Sequence, residues 1–521
     1  MNNNKVCLII LDGWGIGVRD FTNPIFLAGT PYIDYLKQNY PYIALQASGL
    51  ASGLDWKEEG SSEIGHLILG AGRSVLPAAL KVDASIKDNS FFENKTLLRA
   101  INIAKAQNSS IHFVTMLSSG NNYTKLRHLY VLLDILEQEK FYNAYFDIIT
   151  DGLQSKNLQE ALQLIEEFIE HLNKYKVGTI SSVCGRYYAL NKDSNKVYID
   201  KYLSLLTQGQ GTKTNIKDIA LLLEPLYKKN MNDDFIEPIA ICDDNNNVHP
   251  IHNNDIVFMF NIQSKHKATS ELINRFTENN FQIFSLVEYD NIPVENICFF
   301  EDTINNTLAQ TLSNNHKRQL HIAEEIKQNH ITNIFNGFHT DPFPGEYWNI
   351  IPSVQSLKFI DHPEMMAHSI TERASQAIEE NIYDFILLNY ANADQAGHSG
   401  NINIAKQVVK LLDEEIREIV EFALKQNYTI LITSDHGNIE YMVDRLTGKP
   451  QTAHDANLVP LHLVSNIWKF NVAKIQADID KIEREALGLL SDVAPTILDI
   501  LDISKPKEMT GTSLLKYIHN E

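Results

Sequence analysis

Carboxylate and imidazole side chains, which bind divalent metals, follow three short apolar runs of this chain. Each run is rich in β-branched and aliphatic residues and is closed by Asp, Gly or Asn, as in a buried parallel strand. Ligands of open α/β sheets bind beyond the carboxyl ends of such strands. The polar groups are therefore expected to converge on one sheet edge, where they predict a divalent metal site. The runs and their polar residues are 6–11 with Asp12, 385–390 with Asp394 and His398, and 428–433 with Asp435 and His436.

Each of these pieces alone has a simpler interpretation. An Asp behind a buried strand is commonly a turn or helix-capping residue, and Asp-x-x-x-His arises by chance in many chains. The recurrence of the arrangement at three runs favours the metal site. A fourth element adds His454, which lies in a polar loop just before another apolar run, 458–464.

A pair of serines, Ser61 and Ser62, precedes Glu63 and an apolar segment. Ser with Glu close behind is typical of a helix N-cap. The same position surrounds a serine with backbone N–H groups and the positive end of the helix dipole, which suit a phosphoryl group. A divalent cation beside such a serine would lower the pKa of its hydroxyl, as it does for water. The segment therefore predicts either a cap or a nucleophile for in-line phosphoryl transfer.

Composition favours a soluble enzyme of the cytoplasm. A chain of 521 residues with 44% hydrophobic residues predicts two or three domains. The net charge of −20 argues against nucleic-acid or membrane partners. No apolar run approaches the roughly 20 residues of a membrane helix, and the segment after Lys5 is too short for a signal peptide. The four cysteines form no Cys-x-x-Cys pair, which indicates reduced packing residues.

Periodicity predicts the elements that hold these residues. The segment 403–426 reads as the crossover helix before the strand at 428–433. Farther from the metal motifs, 111–116 and 144–150 read as strands and 158–173 as an amphipathic helix.

Six motifs of the chain resemble the cofactor-independent phosphoglycerate mutases of the alkaline phosphatase superfamily, in family order and nearly end to end. The resemblance implies an α/β fold with an alkaline-phosphatase-like, doubly wound, mostly parallel sheet. A metal-binding, phosphatase-like domain at residues 1–76 and 304–521 would be split by a smaller α/β substrate-binding domain at residues 77–303. The motifs are 8–15 (LIILDGWG), 62–67 (SEIGHL) with 70–73 (GAGR), 389–394 (NYANAD) with 397–400 (GHSG), 435–438 (DHGN), 449–454 (KPQTAH) and 506–511 (PKEMTG).

The same resemblance implies two divalent cations, with manganese the expected metal and zinc or cobalt as alternatives. Ser62, rather than Ser61, aligns with the nucleophile that becomes phosphoserine, and Lys327 matches an active-site lysine. Ser62, Lys327 and Arg186 are thus the expected catalytic residues. One cation would bind Asp394, His398 and His454, and the other Asp12, Asp435, His436 and the Ser62 oxygen.

The inserted domain departs from the family where the substrate would bind. Arg186 is retained and Lys192 replaces an arginine with another cation. Leu153, Gln263 and His266 replace three further arginines of the family, and Gln154 replaces an aspartate. A hydrogen bond to a charged group contributes about 1.5–3 kcal/mol, so three lost arginines would weaken phosphoglycerate binding by about 5 kcal/mol or more. Lys125, with Arg127 and Lys265, either rebuilds a cationic pocket or is solvated surface. The positions expected to bind substrate are Arg186, Lys192, Lys327, Tyr123, Lys125, Gln263 and His266.

Three functions remain open on this evidence. The first is a glycolytic mutase, an isomerase that interconverts 2- and 3-phosphoglycerate through phosphorylated Ser62. The second is a phosphatase, phosphotransferase or mutase for another small phosphorylated or phosphonylated metabolite. The third is a non-enzymatic metal-binding protein, which the intact Ser62 and Lys327 disfavour. The family precedent suggests a monomer.

Overall fold

The computed structural model describes residues 4–49, 60–75, 78–119, 124–152, 157–190, 196–263, 267–289, 291–300, 303–353 and 359–517. The chain forms two compact units. We call Met1–Val75 with Asp302–Glu521 the outer unit and Leu76–Glu301 the inserted unit. The domain boundaries expected from the sequence fall at residues 76 and 304.

Sixteen strands occur among the described residues, eight in each unit. They are β1 Lys5–Leu11, β2 Tyr42–Gln46, β3 Ile111–Leu117, β4 Ala144–Thr150, β5 Thr179–Gly185, β6 Thr212–Asn215, β7 Ile239–Cys242, β8 Ile256–Met259, β9 Gln282–Val287, β10 Ile297–Phe299, β11 Gln319–Glu324, β12 Glu346–Ile351, β13 Phe385–Tyr390, β14 Tyr428–Thr433, β15 Val459–Val464 and β16 Gly488–Leu489.

The α-helices of the described residues flank these strands. They are α1 Pro24–Ala28, α2 Pro31–Asn39, α3 Ser62–Ala71, α4 Ala78–Lys87, α5 Lys95–Gln107, α6 Leu126–Gln138, α7 Ala161–Tyr175, α8 Arg186–Ala189, α9 Lys196–Gln208, α10 Ile219–Tyr227, α11 Lys267–Glu278, α12 Leu308–Asn314, α13 Ala367–Glu380, α14 Asn392–Ser399, α15 Ile402–Lys425, α16 Gln476–Ile482 and α17 Val493–Ile500. None of these described helices is both long and apolar enough to cross a bilayer.

The outer sheet has the order β12-β11-β13-β1-β14-β15-β2-β16. Strand β1 lies near its centre, and every residue of it is buried. Its side chains alternate between two cores: Cys7 and Ile9 pack on one face, and Val6 and Leu8 on the other. Among the described strand pairs of this outer sheet, the two antiparallel ones are those that β15 makes with its neighbours β14 and β2. The predicted α/β fold, doubly wound and mostly parallel, is confirmed.

The inserted unit carries its own sheet, in the order β10-β9-β8-β3-β4-β5-β7-β6. The pairs β8–β3, β3–β4 and β4–β5 are parallel, so their carboxyl ends share one edge. Helix α7 begins three residues later than periodicity predicted. The reason is that Asp233 Oδ2 accepts hydrogen bonds from the backbone N–H groups of Glu160 and Ala161, at 2.7 and 2.8 Å, and so fixes the start of the helix.

Candidate active site

The predicted metal residues of the outer unit meet beyond the carboxyl ends of three adjacent strands. Asp12 follows β1, which pairs in parallel with both β13 and β14. Helix α14, with Asp394 and His398, follows β13, and Asp435 follows β14 directly. The backbone at Gly13 passes close to Asp394 of α14. Gly13 has φ +74°, and a Cβ there would lie 2.8 Å from the Asp394 Cα. Only glycine fits this position, which accounts for the Asp-Gly pair.

The two serines have different contacts, which match the two roles that the helix-cap pattern alone left open. The Ser61 hydroxyl accepts a hydrogen bond from the Ile64 backbone N–H at 3.2 Å, so Ser61 is the cap of α3. Ser62 is the first helical residue, and its Oγ lies 3.1 Å from Asp12 Oδ1 and 2.8 Å from His436 Nε2. The Ser62 hydroxyl is therefore available for chemistry at the sheet edge.

Lys327 supplies a positive charge at the centre of this group. Its Nζ donates to Asp12 Oδ1 at 2.7 Å, to Ser62 Oγ at 2.9 Å and to Asp394 Oδ2 at 3.0 Å. Burial alone lowers the pKa of this amine, but the carboxylates of Asp12, Asp394 and Asp435 outweigh burial and raise it. Lys327 is thus a permanent ammonium ion that contacts the candidate nucleophile.

Asp394, His398 and His454 form a triangle of donor atoms. Asp394 Oδ1 lies 3.2 Å from Nε2 of each histidine, and the two Nε2 atoms lie 3.1 Å apart. Ligands of a tetrahedral metal with bonds of about 2.0–2.1 Å are about 3.3 Å apart. The Nδ1 atoms of the histidines contact the carbonyl oxygens of Thr452 and Gly60, at 2.8 and 2.9 Å, which directs Nε2 into the triangle. These residues fit a metal ion.

A second donor group surrounds the Ser62 oxygen. His436 Nε2 lies 3.7 Å from Asp12 Oδ1 and 3.4 Å from Asp435 Oδ2. Asp435 is fully buried, and its Oδ2 lies 3.1 Å from His66 Nδ1, a nitrogen that also contacts the Ser62 carbonyl oxygen at 2.8 Å. One shared N–H only partly offsets the burial of a carboxylate oxygen, and a cation would offset the rest. This group also fits a metal ion, with two carboxylates, an imidazole and a hydroxyl as ligands.

The carboxylates are held ionised despite their burial. For Asp394, burial would raise the pKa, but Lys327 and the hydrogen bonds from His398 and His454 outweigh it and keep the pKa well below its usual range. Burial likewise raises the pKa of Asp435, but the neighbouring His436, His66 and Lys327 outweigh burial and lower this pKa. Metal ligands must be deprotonated, so both side chains are prepared for a cation.

Arg186 lies in the inserted unit, directly beyond the end of β5. Its Nη1 forms a buried ion pair with Asp151 Oδ1 at 2.6 Å, and Asp151 Oδ2 accepts a hydrogen bond from Ser118 Oγ at 2.8 Å. Arg186, Asp151 and Ser118 thus join the ends of three neighbouring strands, β5, β4 and β3. Arg186 is therefore held rigidly at the edge where α/β sheets bind ligands.

The other expected substrate residues differ in what the structure says of them. Gln263 follows β8 on the same sheet edge, and its buried Oε1 has no hydrogen-bond partner among the described residues. The backbone N–H of Lys125 donates to His128 Nδ1 at 3.2 Å, at the start of α6. Arg127 forms an ion pair with Asp83 at 2.7 Å and is half exposed. Tyr123, Lys192 and His266 lie outside the described residues, as do Leu153, Gln154 and Lys265.

Comparison with known proteins agrees with the metal-rich edge. The family model of the Metalloenzyme superfamily matches residues 4–505. A 2,3-bisphosphoglycerate-independent phosphoglycerate mutase of Clostridium botulinum (strain Langeland) is 35% identical over 526 residues, covering 99% of this chain and 100% of that protein. One from Parabacteroides distasonis is 35% identical over 524 residues with the same coverage. The chain belongs to the 2,3-bisphosphoglycerate-independent phosphoglycerate mutase family.

Membership of this mutase family confirms the resemblance seen in the motifs and makes the chain a metalloenzyme of an isomerase family. The fold agrees as well. A crystal structure of Leishmania mexicana phosphoglycerate mutase, at low cobalt concentration, aligns with a TM-score of 0.79 at 21% identity. The alignment covers 98% of this chain and 97% of that one.

Three residues at the site were not predicted. Asn389 Nδ2 donates to Asp12 Oδ2 at 2.9 Å, and Asn438 Nδ2 donates to Asp394 Oδ1 at 3.0 Å, so each amide orients a carboxylate. The third is His66, which is buried beside Ser62 and Asp435 of the second donor group. A signal existed for His66, because it lies four residues after Ser62 on one helix face.

Proposed function

We propose that this chain interconverts 2- and 3-phosphoglycerate by carrying the phosphoryl group on Ser62. One observation carries the proposal: Ser62 Oγ is within 3.1 Å of Asp12, His436 and Lys327, at the first residue of a helix. A hydroxyl in this position combines the helix N-terminus, a fixed ammonium ion and a carboxylate acceptor. That combination suits attack on phosphorus and then stabilisation of a phosphoserine.

Two divalent cations complete the site in this proposal. We assign one to Asp394, His398 and His454, and the other to Asp12, Asp435, His436 and Ser62 Oγ. When bound, the ions would neutralise the phosphoryl oxygens and lower the pKa of the Ser62 hydroxyl. Manganese suits this mixed set of carboxylate and imidazole donors, and zinc and cobalt are the alternatives.

The protein groups then have defined tasks. Asp12 Oδ1 accepts the hydrogen bond of the Ser62 hydroxyl, and the Lys327 ammonium stabilises negative charge on the same oxygen. As the bond between Ser62 Oγ and phosphorus forms, the bond between phosphorus and the substrate oxygen breaks. The proton that leaves the Ser62 hydroxyl is balanced by the proton that the departing substrate oxygen takes up. In the second half, the other hydroxyl of the bound glycerate attacks the phosphoserine, and Ser62 recovers its proton.

Recognition of the substrate is assigned to the inserted unit. Arg186, already fixed by Asp151, would bind an anionic group of the substrate, and Gln263 offers an unpartnered oxygen for a hydroxyl. Lys125, Tyr123, Lys192 and His266 are assigned to the same task by their positions in the sequence. We also infer a cytoplasmic monomer, on the basis of the family precedent and a net charge of −20.

The test follows both products of 3-phosphoglycerate with purified protein and Mn²⁺: 2-phosphoglycerate and free phosphate. Ser62→Ala should abolish conversion. Ser61→Ala is the matched control, because it removes the adjacent hydroxyl, which only caps α3, at a cost of about 1 kcal/mol in stability. If Ser61→Ala abolished conversion and Ser62→Ala did not, the assignment of the nucleophile would be wrong.

A second candidate is phosphoryl transfer on a different small phosphorylated metabolite. It is favoured by the sequence of the inserted unit, where Leu153, Gln154, Gln263 and His266 stand in place of charged residues of the family's substrate site. Phosphate release from an aryl phosphate that depends on Ser62, without formation of 2-phosphoglycerate, would establish this candidate and refute the first.

A further inference from the structure

His66 is a fully buried histidine at the centre of the outer unit's site. It lies on α3, one turn after Ser62, and contacts groups on three different elements. These are the Ser62 carbonyl on its own helix, Asp435 after β14 and Asn389 on β13. Buried polar groups are normally hydrogen-bonded, and the partners of His66 all lie at the candidate site.

The contacts define what each ring nitrogen does. Asn389 Nδ2 lies 2.9 Å from His66 Nε2, and the same amide donates to Asp12 Oδ2 at 2.9 Å. Because the amide nitrogen is a donor, Nε2 acts as the acceptor. The hydrogen is then on Nδ1, which lies 2.8 Å from the Ser62 carbonyl oxygen and 3.1 Å from Asp435 Oδ2.

His66 is therefore not suited to bind a metal itself, although it clusters with Asp12 and Asp435. Its Nε2 lone pair is engaged by Asn389, and its Nδ1 carries a proton. Instead the imidazole ring connects the two carboxylates: it contacts Asn389, which donates to Asp12, and it contacts Asp435 directly.

We propose that His66 is a positioning residue that sets the geometry of the cation site formed by Asp12, Asp435 and His436. This inference rests on the ligand assignment of the proposed function. Asp12 and Asp435 follow different strands, so a group that bridges them fixes the separation of two ligands. Outer partners of metal ligands typically contribute 10–100-fold to metal affinity. In the described part of the chain, no hydrogen bond joins His66 to Asp394, His398 or His454, so the effect is confined to one ion.

Two conservative variants separate the two links. In His66→Asn the amide nitrogen can replace Nδ1, which keeps the donor for Ser62 and Asp435 and loses the acceptor for Asn389. In His66→Gln the amide oxygen can replace Nε2, which keeps the Asn389 link and loses the Nδ1 donor. Each variant retains one link, so each should bind metal more tightly than His66→Ala. His462 provides the control, since His462→Ala removes another buried imidazole of the outer unit from β15.

The experiment is equilibrium titration of the full chain with Mn²⁺, with free Mn²⁺ measured by its paramagnetic resonance signal and no substrate present. The wild type should bind two ions. His66→Ala should bind one ion with unchanged affinity and the other 10–100-fold more weakly. In a His398→Ala background, which disables the other site, the weakened ion should remain and show the same loss. His462→Ala should match the wild type.

Four results would overturn the inference. They are unchanged affinities in His66→Ala, equal weakening of both ions, identical behaviour of the Ala, Asn and Gln variants, and loss of one ion beyond detection in all three, which would make His66 a ligand. A wild type that binds a single ion would instead refute the two-cation proposal. The titration thus separates failure of this inference from failure of the proposed function.

Discussion

Removing the buried ammonium of Lys327 should destabilise the metal-free outer unit and increase its response to metal. Lys327→Met keeps most of the side-chain length and deletes the charge. Three contacts of 2.7, 2.9 and 3.0 Å are lost, two of them to the buried carboxylates of Asp12 and Asp394. Removing one partner of a buried ion pair costs about 3–5 kcal/mol. We expect a loss of that size in the free energy of unfolding without metal.

Saturating Mn²⁺ should recover much of this loss, because the cation replaces the missing positive charge beside the carboxylates. A metal that binds only the folded state stabilises the protein more when it binds more tightly. The increase in the free energy of unfolding caused by Mn²⁺ should therefore be larger in the variant than in the wild type. The control is Lys317→Met, which breaks a partly exposed ion pair with Asp384 at 3.1 Å. Its cost should stay below about 1 kcal/mol, with no change in the response to metal.

Urea unfolding followed by tryptophan fluorescence reports on the outer unit alone. All four tryptophans of the chain belong to that unit, at positions 14, 56, 348 and 468. Unfolding curves in EDTA and in saturating Mn²⁺ provide two free energies of unfolding for each protein, and so four for each comparison of a variant with the wild type. The reasoning is refuted if metal-free Lys327→Met is as stable as the wild type, or if Mn²⁺ stabilises both proteins equally.

Three further predictions concern the protonation of His454 and the role of Arg186 in the inserted unit. Burial lowers the pKa of His454, but its carboxylate neighbour outweighs burial and raises it, so a proton competes with metal in mild acid. Mn²⁺ affinity should fall about tenfold per pH unit below that pKa, and constant affinity between pH 8 and 5.5 would contradict the ligand assignment. Arg186→Ala removes the guanidinium group from the buried Asp151 carboxylate and should cost the inserted unit about 3–5 kcal/mol, seen as faster hydrogen exchange in 76–301. Arg186→Lys should raise KM while Ser62 still accepts phosphate, and an unchanged KM would exclude Arg186 from substrate binding.

The parts of the fold that the sequence predicts are those with strong local patterns. The runs 385–390 and 428–433 match β13 and β14 residue for residue, because a buried parallel strand is apolar on both faces and ends at a polar turn. The position of Asp12 at the site follows from the same rule. The direction of β15 does not, since an apolar run has the same composition whether it pairs parallel or antiparallel.

The hydrogen bonds behind the ligands could not be predicted in this way. Asn389 lies within an apolar run, where alternation gives no hint that its amide serves the site. Its contact with His66 joins residues 323 positions apart. Such contacts depend on how α3 packs against the sheet. The spacing of apolar residues within one segment does not predict that packing. The Ser61 cap is different, because the sequence pattern predicts a cap at this pair of serines and the family resemblance already assigns the nucleophile's position to Ser62.

Charge balance explains why so many ionised groups tolerate burial at one sheet edge. Asp12, Asp394 and Asp435 carry three negative charges and Lys327 carries one positive charge, so the site holds two negative charges when its histidines are neutral, as metal binding requires. A single divalent cation would neutralise the site and leave nothing to attract a phosphoryl dianion. Two cations leave two positive charges, which such a dianion cancels. The buried charges thus support a site for two ions, which approaches neutrality only when the phosphoryl group is present.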